Sequence, residues 1–339
     1  MKEVAAVIFN DIHLGTGNED ASYNSVKHMA DYMEKNNLKV AIFAGDWFHS
    51  RSFQRQEVLI STLRMLNYLQ MKGITVHMFP GNHDKTLYGS QDSFLDIIKH
   101  HPAIKYYSVM SDINIAGLKI TLLPFFSDDL LVPMIEGHPG GDILVSHFEM
   151  QGSTNLGHVS EKNNITRRGL KKWKKTYLGH YHNWHEITEN IVHLPSLRQQ
   201  SFGEDSKKGF SLLYDDGSYE LIQGVFKAFV KIIINVNETN TKEIKELIKT
   251  HENSVDTVRF EFIGDDSKLK ALDKSIFKGT GIDVSIKYAE SFDPSAPEPL
   301  VIEKFDEGTV LSAFEDFCKD KGLDHDTGLK FLKEFLQKK

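Results

Sequence analysis

The sequence predicts a layered α/β protein, and three observations carry the prediction. Short apolar runs recur along the first two thirds of the chain, each cut off by polar residues. Helical patterns lie between them, and five of the runs end in clusters of aspartate, asparagine and histidine. Alternation of this kind argues for buried strands covered by helices.

The elements can be taken in order. Residues 4–10, 39–44 and 74–79 read as strands, and the clearest helix spans 54–71, with Val58, Leu59, Leu63, Leu66 and Leu69 assigned to one face. Further strands are expected at 118–123, 142–147 and 176–178. Residues 210–214 and 219–223, joined by Asp215-Asp216-Gly217-Ser218, read as a hairpin. From about Ala228 the character changes. A strand at 229–236, a helix at 242–250, a strand at 255–263, a helix at 266–276 and a strand at 282–288 make a small β-α-β-α-β unit without ligand clusters at its strand ends. Pro294, Pro297 and Pro299 mark a linker, and 306–339 carries two short helical patterns. The expected division is a main domain over 1–225, a smaller α+β domain over 226–291, a linker over 292–303 and a helical tail over 304–339.

Composition excludes several classes. The chain has 339 residues, 40% hydrophobic and 26% charged, which is ordinary for a soluble globular protein. The single cysteine, Cys318, rules out an intramolecular disulfide framework and fits a reducing compartment. No stretch is long enough to cross a bilayer, and the six-residue apolar run after Glu3 reads as a buried strand and not a signal peptide. The expected location is therefore cytoplasmic, with no membrane partner. Net charge is −7, with 40 basic against 47 acidic residues, so overall charge gives no support for binding nucleic acid; metal ions and a local patch could still supply it.

The five clusters are Asp11-Ile12-His13, Gly45-Asp46, Gly81-Asn82-His83-Asp84, Ser146-His147 and Gly179-His180-Tyr181-His182. Ligand sites in α/β sheets form at the carboxyl ends of strands, so all five can converge. An extended backbone would put both ligands of D-x-H and H-x-H on one side. Carboxylate, carboxamide and imidazole donors with no thiolate suit a pair of Mn, Fe or Zn ions better than a structural zinc. Seven ligands for two ions imply one shared ligand. Asp46 is the expected bridge, with Asp11, His13 and His182 on one ion and Asn82, His147 and His180 on the other. A capped turn or a satisfied histidine accounts for any one cluster, but poorly for five in order.

These five clusters resemble the motifs of the calcineurin-like metallophosphoesterases. Gly45-Asp46-Trp47-Phe48-His49, Phe202-Gly203-Glu204 and Lys208-Gly209-Phe210 resemble the forms found in SbcD-type DNA repair nucleases, and the phage recombination endonuclease subunits of that family are similar in size. Ser146 departs from the family, where a glycine often precedes the histidine. The resemblance implies a metallophosphoesterase sandwich with a capping domain. It also implies a Mn-dependent nuclease, exonuclease on duplex ends and endonuclease on single strands, acting in DNA recombination and break repair. The implied partners are DNA and an SbcC-type coiled-coil ABC ATPase, with a homodimer inside a heterotetramer; a phage origin would place it in the infected host cell.

Phosphoester cleavage with two ions needs an acid for the leaving alkoxide. His83, not needed as a ligand, is the candidate, with Asp84 expected to orient its ring. By the resemblance, His49 positions the phosphate or rotates the DNA backbone; the alternative is a surface histidine that starts a helix. Arg167, Arg168, Lys171, Lys172, Lys174 and Lys175 put six cations into nine residues. They read either as a phosphate-tracking patch or as a solvated turn anchored by Leu170 and Trp173. His100, His101, His158, His185 and His193 have no complementary ligands in sequence and read as surface or core residues. The competing functions are a phosphomonoesterase or cyclic-nucleotide phosphodiesterase on the same site, and a non-catalytic scaffold.

Overall fold

In a computed structural model of the chain, β1 (Val4–Phe9) is followed by α1 (Glu19–Lys35), β2 (Val40–Ala44), α2 (Gln56–Met71), β3 (Thr75–Phe79) and β4 (Ile104–Tyr106). Next come β5 (Ser111–Ile115), β6 (Leu118–Leu123), α3 (Asp128–Gly137), β7 (Gly141–Ser146), and the short β8 (Thr154–Asn155) and β9 (His158–Val159). The main body closes with α4 (Arg167–Leu170), β10 (Trp173–Leu178), β11 (His185–Thr188), β12 (Ile191–His193) and the hairpin of β13 (Gly209–Tyr214) and β14 (Tyr219–Gln223). The structure describes residues 2–155, 158–160, 163–288 and 314. The expected linker at 292–303 and tail at 304–339 lie outside the described residues, apart from Phe314.

Two six-stranded sheets result. The first runs β14-β13-β1-β2-β3-β4 and the second β11-β12-β10-β7-β6-β5. Strands β1 to β4 are mutually parallel, as are β6, β7, β10 and β12. Successive side chains of a strand leave opposite faces, which explains the unbroken apolar run of β1. Val7 and Phe9 pack with Val26, Met29 and Met33 of α1 and Leu66 and Leu69 of α2. Ala6 and Ile8 pack the other way, against Ile120, Leu122, Ile143, Val145 and Tyr177 of the second sheet. A third core places Leu131 and Ile135 of α3 and Leu170 of α4 over the second sheet's outer face. The layers are thus helix, sheet, sheet, helix, and the fold is an α/β sandwich.

One helical face differs from expectation. Val58, Leu66 and Leu69 of α2 are buried, but Leu63 is 48% exposed, and Thr62 and Met65 take the inner positions. Five residues from Val58, Leu63 lies about 140° round the helix. Thr62 earns its buried place because its Oγ1 accepts a hydrogen bond from Trp47 Nε1 at 3.1 Å.

The appended unit follows the expected β-α-β-α-β order, but its second helix stops at Lys270 and a separate 3-10 turn spans Lys274–Phe277 where one helix over 266–276 was expected. β15 (Phe229–Asn235), α5 (Thr241–His251), β16 (Thr257–Ile263), α6 (Asp266–Lys270) and β17 (Asp283–Ile286) form a three-stranded parallel sheet, ordered β15-β16-β17. Ile234, Ile244, Ile248, Phe260, Phe262 and Phe277 make its own core. Asn240 caps α5, accepting from Lys242 N and Glu243 N, while Glu243 accepts from Asn240 N. Among the described residues, no helix is long and apolar enough to cross a membrane.

The α2 assignment can be tested by urea denaturation. Leu66→Ala is expected to cost about 2–5 kcal/mol, and Leu63→Ala no more than about 0.5 kcal/mol. Equal losses would place Leu63 in the core.

Candidate active site

All five clusters emerge from carboxyl ends of strands, three from the first sheet and two from the second. Asp11 and His13 follow β1, Asp46 and His49 follow β2, and Asn82 and His83 follow β3. His147 follows β7, and His180 and His182 follow β10. The extended-backbone account of the D-x-H spacing does not hold. Asp11, His13, Asp46 and His180 all have left-handed backbones, with φ of 51°, 47°, 63° and 84°. The strands have ended there, and the chain curls over the sheet edge. Each such residue costs about 1–3 kcal/mol unless its surroundings fix it. Here they do: Asp11 N bonds Gly45 O at 3.0 Å, and His13 N bonds Asp46 O at 3.1 Å, lacing the two loops together. Gly45 has φ 87°, and a Cβ there would stand 2.5 Å from His147 Nδ1, so the approach of β2 to that ring requires glycine.

The ligand atoms gather in two overlapping groups. Asp11, His13 and His182 offer atoms within 4.8 Å of one another, as do Asp11, Asp46 and His147. Asn82 Oδ1 lies 3.0 Å from His147 Nε2 and 3.1 Å from His180 Nδ1. Asp46 Oδ2 stands 3.4 Å from His13 Nε2 and 3.2 Å from His147 Nε2, between the two sets. A metal pair fits this arrangement on a specific observation. Asp11 Oδ1 is fully buried with no hydrogen-bond partner, yet it lies 3.7 Å from His13 Nε2 and 3.9 Å from both His147 Nε2 and His182 Nε2. A buried carboxylate oxygen facing three imidazoles without a hydrogen bond to any of them suits a cation.

Charge at the site follows the same crowding. Burial opposes ionisation of Asp11, but His147, His13 and His182 outweigh it and bring its pKa to about 2. Burial likewise opposes the charge on Asp46, and His147 and His13 hold it well below the usual carboxylate range. Burial disfavours the cation of His147, yet the carboxylates of Asp46 and Asp11 raise its pKa to about 9. His180, by contrast, is pushed down to about 4 by burial and by His147.

An outer ring of contacts aims the ligands. The Nδ1–H of His147 donates to Ala44 O at 2.8 Å, leaving Nε2 as the donor atom for a metal. His182 Nδ1 pairs with Glu204 Oε1 at 2.8 Å, and buried Lys208 donates to His182 O and Asn183 Oδ1, both at 2.6 Å. Gln200 Nε2 donates to Asp11 O at 2.9 Å, and Arg198 Nη2 to Ile12 O at 3.4 Å. His193 donates from Nδ1 to Gly179 O at 2.9 Å, just before His180, and pairs through Nε2 with Ser153 Oγ at 2.8 Å. Sequence reasoning assigned no role to Glu204, Lys208, Arg198, Gln200 or His193, although the motifs Phe202-Gly203-Glu204 and Lys208-Gly209-Phe210 contain the first two. Ser146 fits in place of a glycine because its Oγ donates to Leu123 O at 2.7 Å.

Asp84 has a different task from the one expected. Its carboxylate accepts from Asp46 N at 2.9 Å, Phe48 N at 2.9 Å and Gly81 N at 3.0 Å, tying the loops after β2 and β3 together. Burial and the neighbouring Asp46 charge push its pKa up to about 7, against these donors. The His83 ring is held instead by the His49 carbonyl, 2.6 Å from Nδ1. A carbonyl only accepts and a guanidinium only donates, so with Arg51 Nη2 at 2.7 Å from Nε2, His83 is the neutral Nδ1–H tautomer. Burial lowers its pKa to about 4.

A cavity of about 510 Å³ opens over the ligands and is lined by His13, Asp46, His49, Arg51, Asn82, His83, His180, His182, Arg198, Gln200 and Phe229, among others. His49, His83 and His13 also bring nitrogens within 4.8 Å of one another. None of the six clustered cations lines this cavity. Lys174 and Lys175 belong to β10 and not to a turn, and Leu170 and Trp173 are buried. Lys172 Nζ caps α3 by donating to Ile135 O, Glu136 O and His138 O, Lys174 pairs with Asp142 at 2.7 Å, and Lys175 donates to Glu189 O. Arg167, Arg168 and Lys171 are exposed.

Calorimetric titration with Mn²⁺ tests the arrangement. Asp46→Asn is expected to weaken both sites, while Glu204→Gln weakens mainly the one His182 serves, by about 10–100-fold. Two ions at unchanged affinity in Asp46→Asn would move the bridge to another residue, and unchanged binding in Glu204→Gln would remove its orienting role.

Comparison with known proteins agrees with this geometry. Exonuclease subunit 1 of Enterobacteria phage T4 is 24% identical over 211 residues, which is 59% of this chain and 61% of that protein, so the match spans less than two thirds of the relative. One solved structure superposes over 66% of this chain and 99% of its own, with a TM-score of 0.41 and 8% identity, too loosely to carry an argument. Residues 5–224, well over half the chain and containing all seven candidate ligands, match the calcineurin-like phosphoesterases. The chain belongs to that family and is a metal-dependent phosphoesterase.

Proposed function

We propose that the chain is a two-metal DNA nuclease using Mn, exonuclease on duplex ends and endonuclease on single strands, that works with an SbcC-type coiled-coil ABC ATPase in recombination and break repair. One observation carries the reading: Phe229, from the first strand of the appended domain, lines the same cavity as the metal ligands. A polymer must be gripped beyond its reacting phosphate, and a second domain at the cleft offers that grip. Support also comes from the phage relative, itself named an exonuclease subunit. In this reading the domain over 226–291 recognises DNA, and the tail over 304–339 docks on the ATPase. Arg167, Arg168 and Lys171 remain to follow the phosphate backbone.

Asp11, His13, His182, Asn82, His147 and His180 would hold the ions, with Asp46 between them. Bound there, the ions supply positive charge to the phosphoryl oxygens and lower the pKa of a water. The chain's own residues do the rest. His49 lines the cavity beside His13, with ring centres 5.7 Å apart, and positions the phosphate. His83 protonates the leaving oxygen. Its Nε2 carries no proton in the free protein, so it takes one from solvent when the negative phosphate enters and favours the imidazolium.

The function is tested on end-labelled linear duplex with Mn²⁺, with chelator, and with the ATPase added. Metal-dependent shortening from the ends is expected. Hydrolysis of p-nitrophenyl phosphate in preference to bis-p-nitrophenyl phosphate, with duplex left intact, would make the chain a phosphomonoesterase. His83→Ser is expected to keep two Mn ions while turnover falls by about two to four decades. Loss of an ion in that variant would make His83 a ligand, as its closeness to His13 and His49 allows. Deleting 304–339 is expected to abolish co-purification with the ATPase while bis-p-nitrophenyl phosphate is still cleaved; retained binding would sink the docking role.

A further inference from the structure

We infer that Arg51 binds a non-bridging oxygen of the substrate phosphate, with its guanidinium held ready at the cavity wall by His83 and Tyr88. The inference rests on the phosphoester reading of the site and adds a residue to it. Arg51 follows His49 by two positions on the loop after β2 and lines the cavity together with Asp46, Asn82 and His83.

Its surroundings single it out. Nη2 donates to His83 Nε2 at 2.7 Å and Nη1 to the Tyr88 hydroxyl at 2.7 Å, and both partners are neutral. The backbone is pinned as well, since Arg51 O accepts from Thr86 Oγ1 at 3.1 Å. Among the described residues no carboxylate pairs with Arg51, although arginines away from the cavity do find one: Arg64 meets Asp20 at 3.2 Å and Arg259 meets Asp283 at 2.5 Å. A cation left without an anion, fixed by two neutral contacts and facing a cavity built around phosphate chemistry, is arranged for an incoming anion.

Two contacts use two of the five N–H donors of a guanidinium, and the remainder are available for a planar approach to phosphate oxygens. A charge-assisted bond to phosphate is also stronger than one to a neutral imidazole. Substrate can therefore draw the guanidinium off His83 Nε2 without breaking an ion pair. Entry of the phosphate then frees the very nitrogen that the acid role requires.

The test uses the full-length Mn-loaded chain. Inorganic phosphate is titrated into wild type, Arg51→Met and Arg51→Lys by calorimetry, and bis-p-nitrophenyl phosphate hydrolysis is followed in parallel. Arg51→Met is expected to retain two Mn ions, to bind phosphate about ten- to hundredfold more weakly, and to show KM raised to match. Arg51→Lys is expected to recover part of the affinity, because it restores charge without the planar fork. Phosphate affinity in Arg51→Met within twofold of wild type overturns the inference, and so does loss of a Mn ion, which would make Arg51 a structural support. If wild type fails to cut duplex DNA, the nuclease reading falls, while the phosphate titration still decides the role of Arg51.

Discussion

Asp11 and Asp46 lie out of water within 4 Å of the imidazoles of His13, His147 and His182, which hold both carboxyls below the usual carboxylate range. Two like charges in a medium of low polarity repel strongly unless positive charge is brought to them. The carboxylates of Asp46 and Asp11 raise the pKa of His147 to about 9 against its burial, while burial and then His147 push His180 down to about 4. Divalent ions would do the same work with more charge at shorter range. They would also displace protons, so metal uptake would release protons. The Asp11 oxygen that finds no hydrogen bond is the local mark of that demand.

Such a concentration of charge holds only if the loops cannot relax. Three left-handed residues, Asp11, His13 and Asp46, sit on two adjacent loops, and backbone bonds lace those loops together. Asp84 ties three amides from the loops after β2 and β3 to one carboxylate. Glu204 and Lys208 fix the ring and the carbonyl of His182. The strain at the ligands is thus offset in polar contacts one layer out. This explains why a carboxylate adjacent in sequence to His83 serves the backbone and not the ring.

The sandwich was legible because periodicity in buried parallel strands is simple: apolar runs that stop at polar clusters. The clustering of the candidate ligands was legible for the same reason, since they follow those stops directly. Side-chain partners from far along the chain left no such trace. Glu204 meets His182, and Arg51 meets His83 and Tyr88, only after folding. Helix α1 is harder to read because Ser22 and Ser25 share its buried face with Val26 and Met29, and α3 carries Pro133 inside it. Leu63 shows the opposite failure, an apolar residue that fits a stripe by type but points away from it. The lysines before His180 misled by composition alone: charge density in sequence says nothing of where a strand turns each ammonium group.

Gln199 and Gln200 face in two directions. Gln199 Oε1 accepts from the amide of Phe229, where the appended sheet begins, at 2.9 Å, the Phe202 and Phe229 rings meet at right angles with centres 5.0 Å apart, and Arg259 lies over the Phe202 ring at 4.1 Å. Its neighbour Gln200 holds the carbonyls of Asp11 and Ile12. A single peptide unit therefore acts as a yoke between the appended sheet and the loop that carries the first two ligands. The appended sheet and the Asp11 loop are therefore joined through the amide side chains of two consecutive residues.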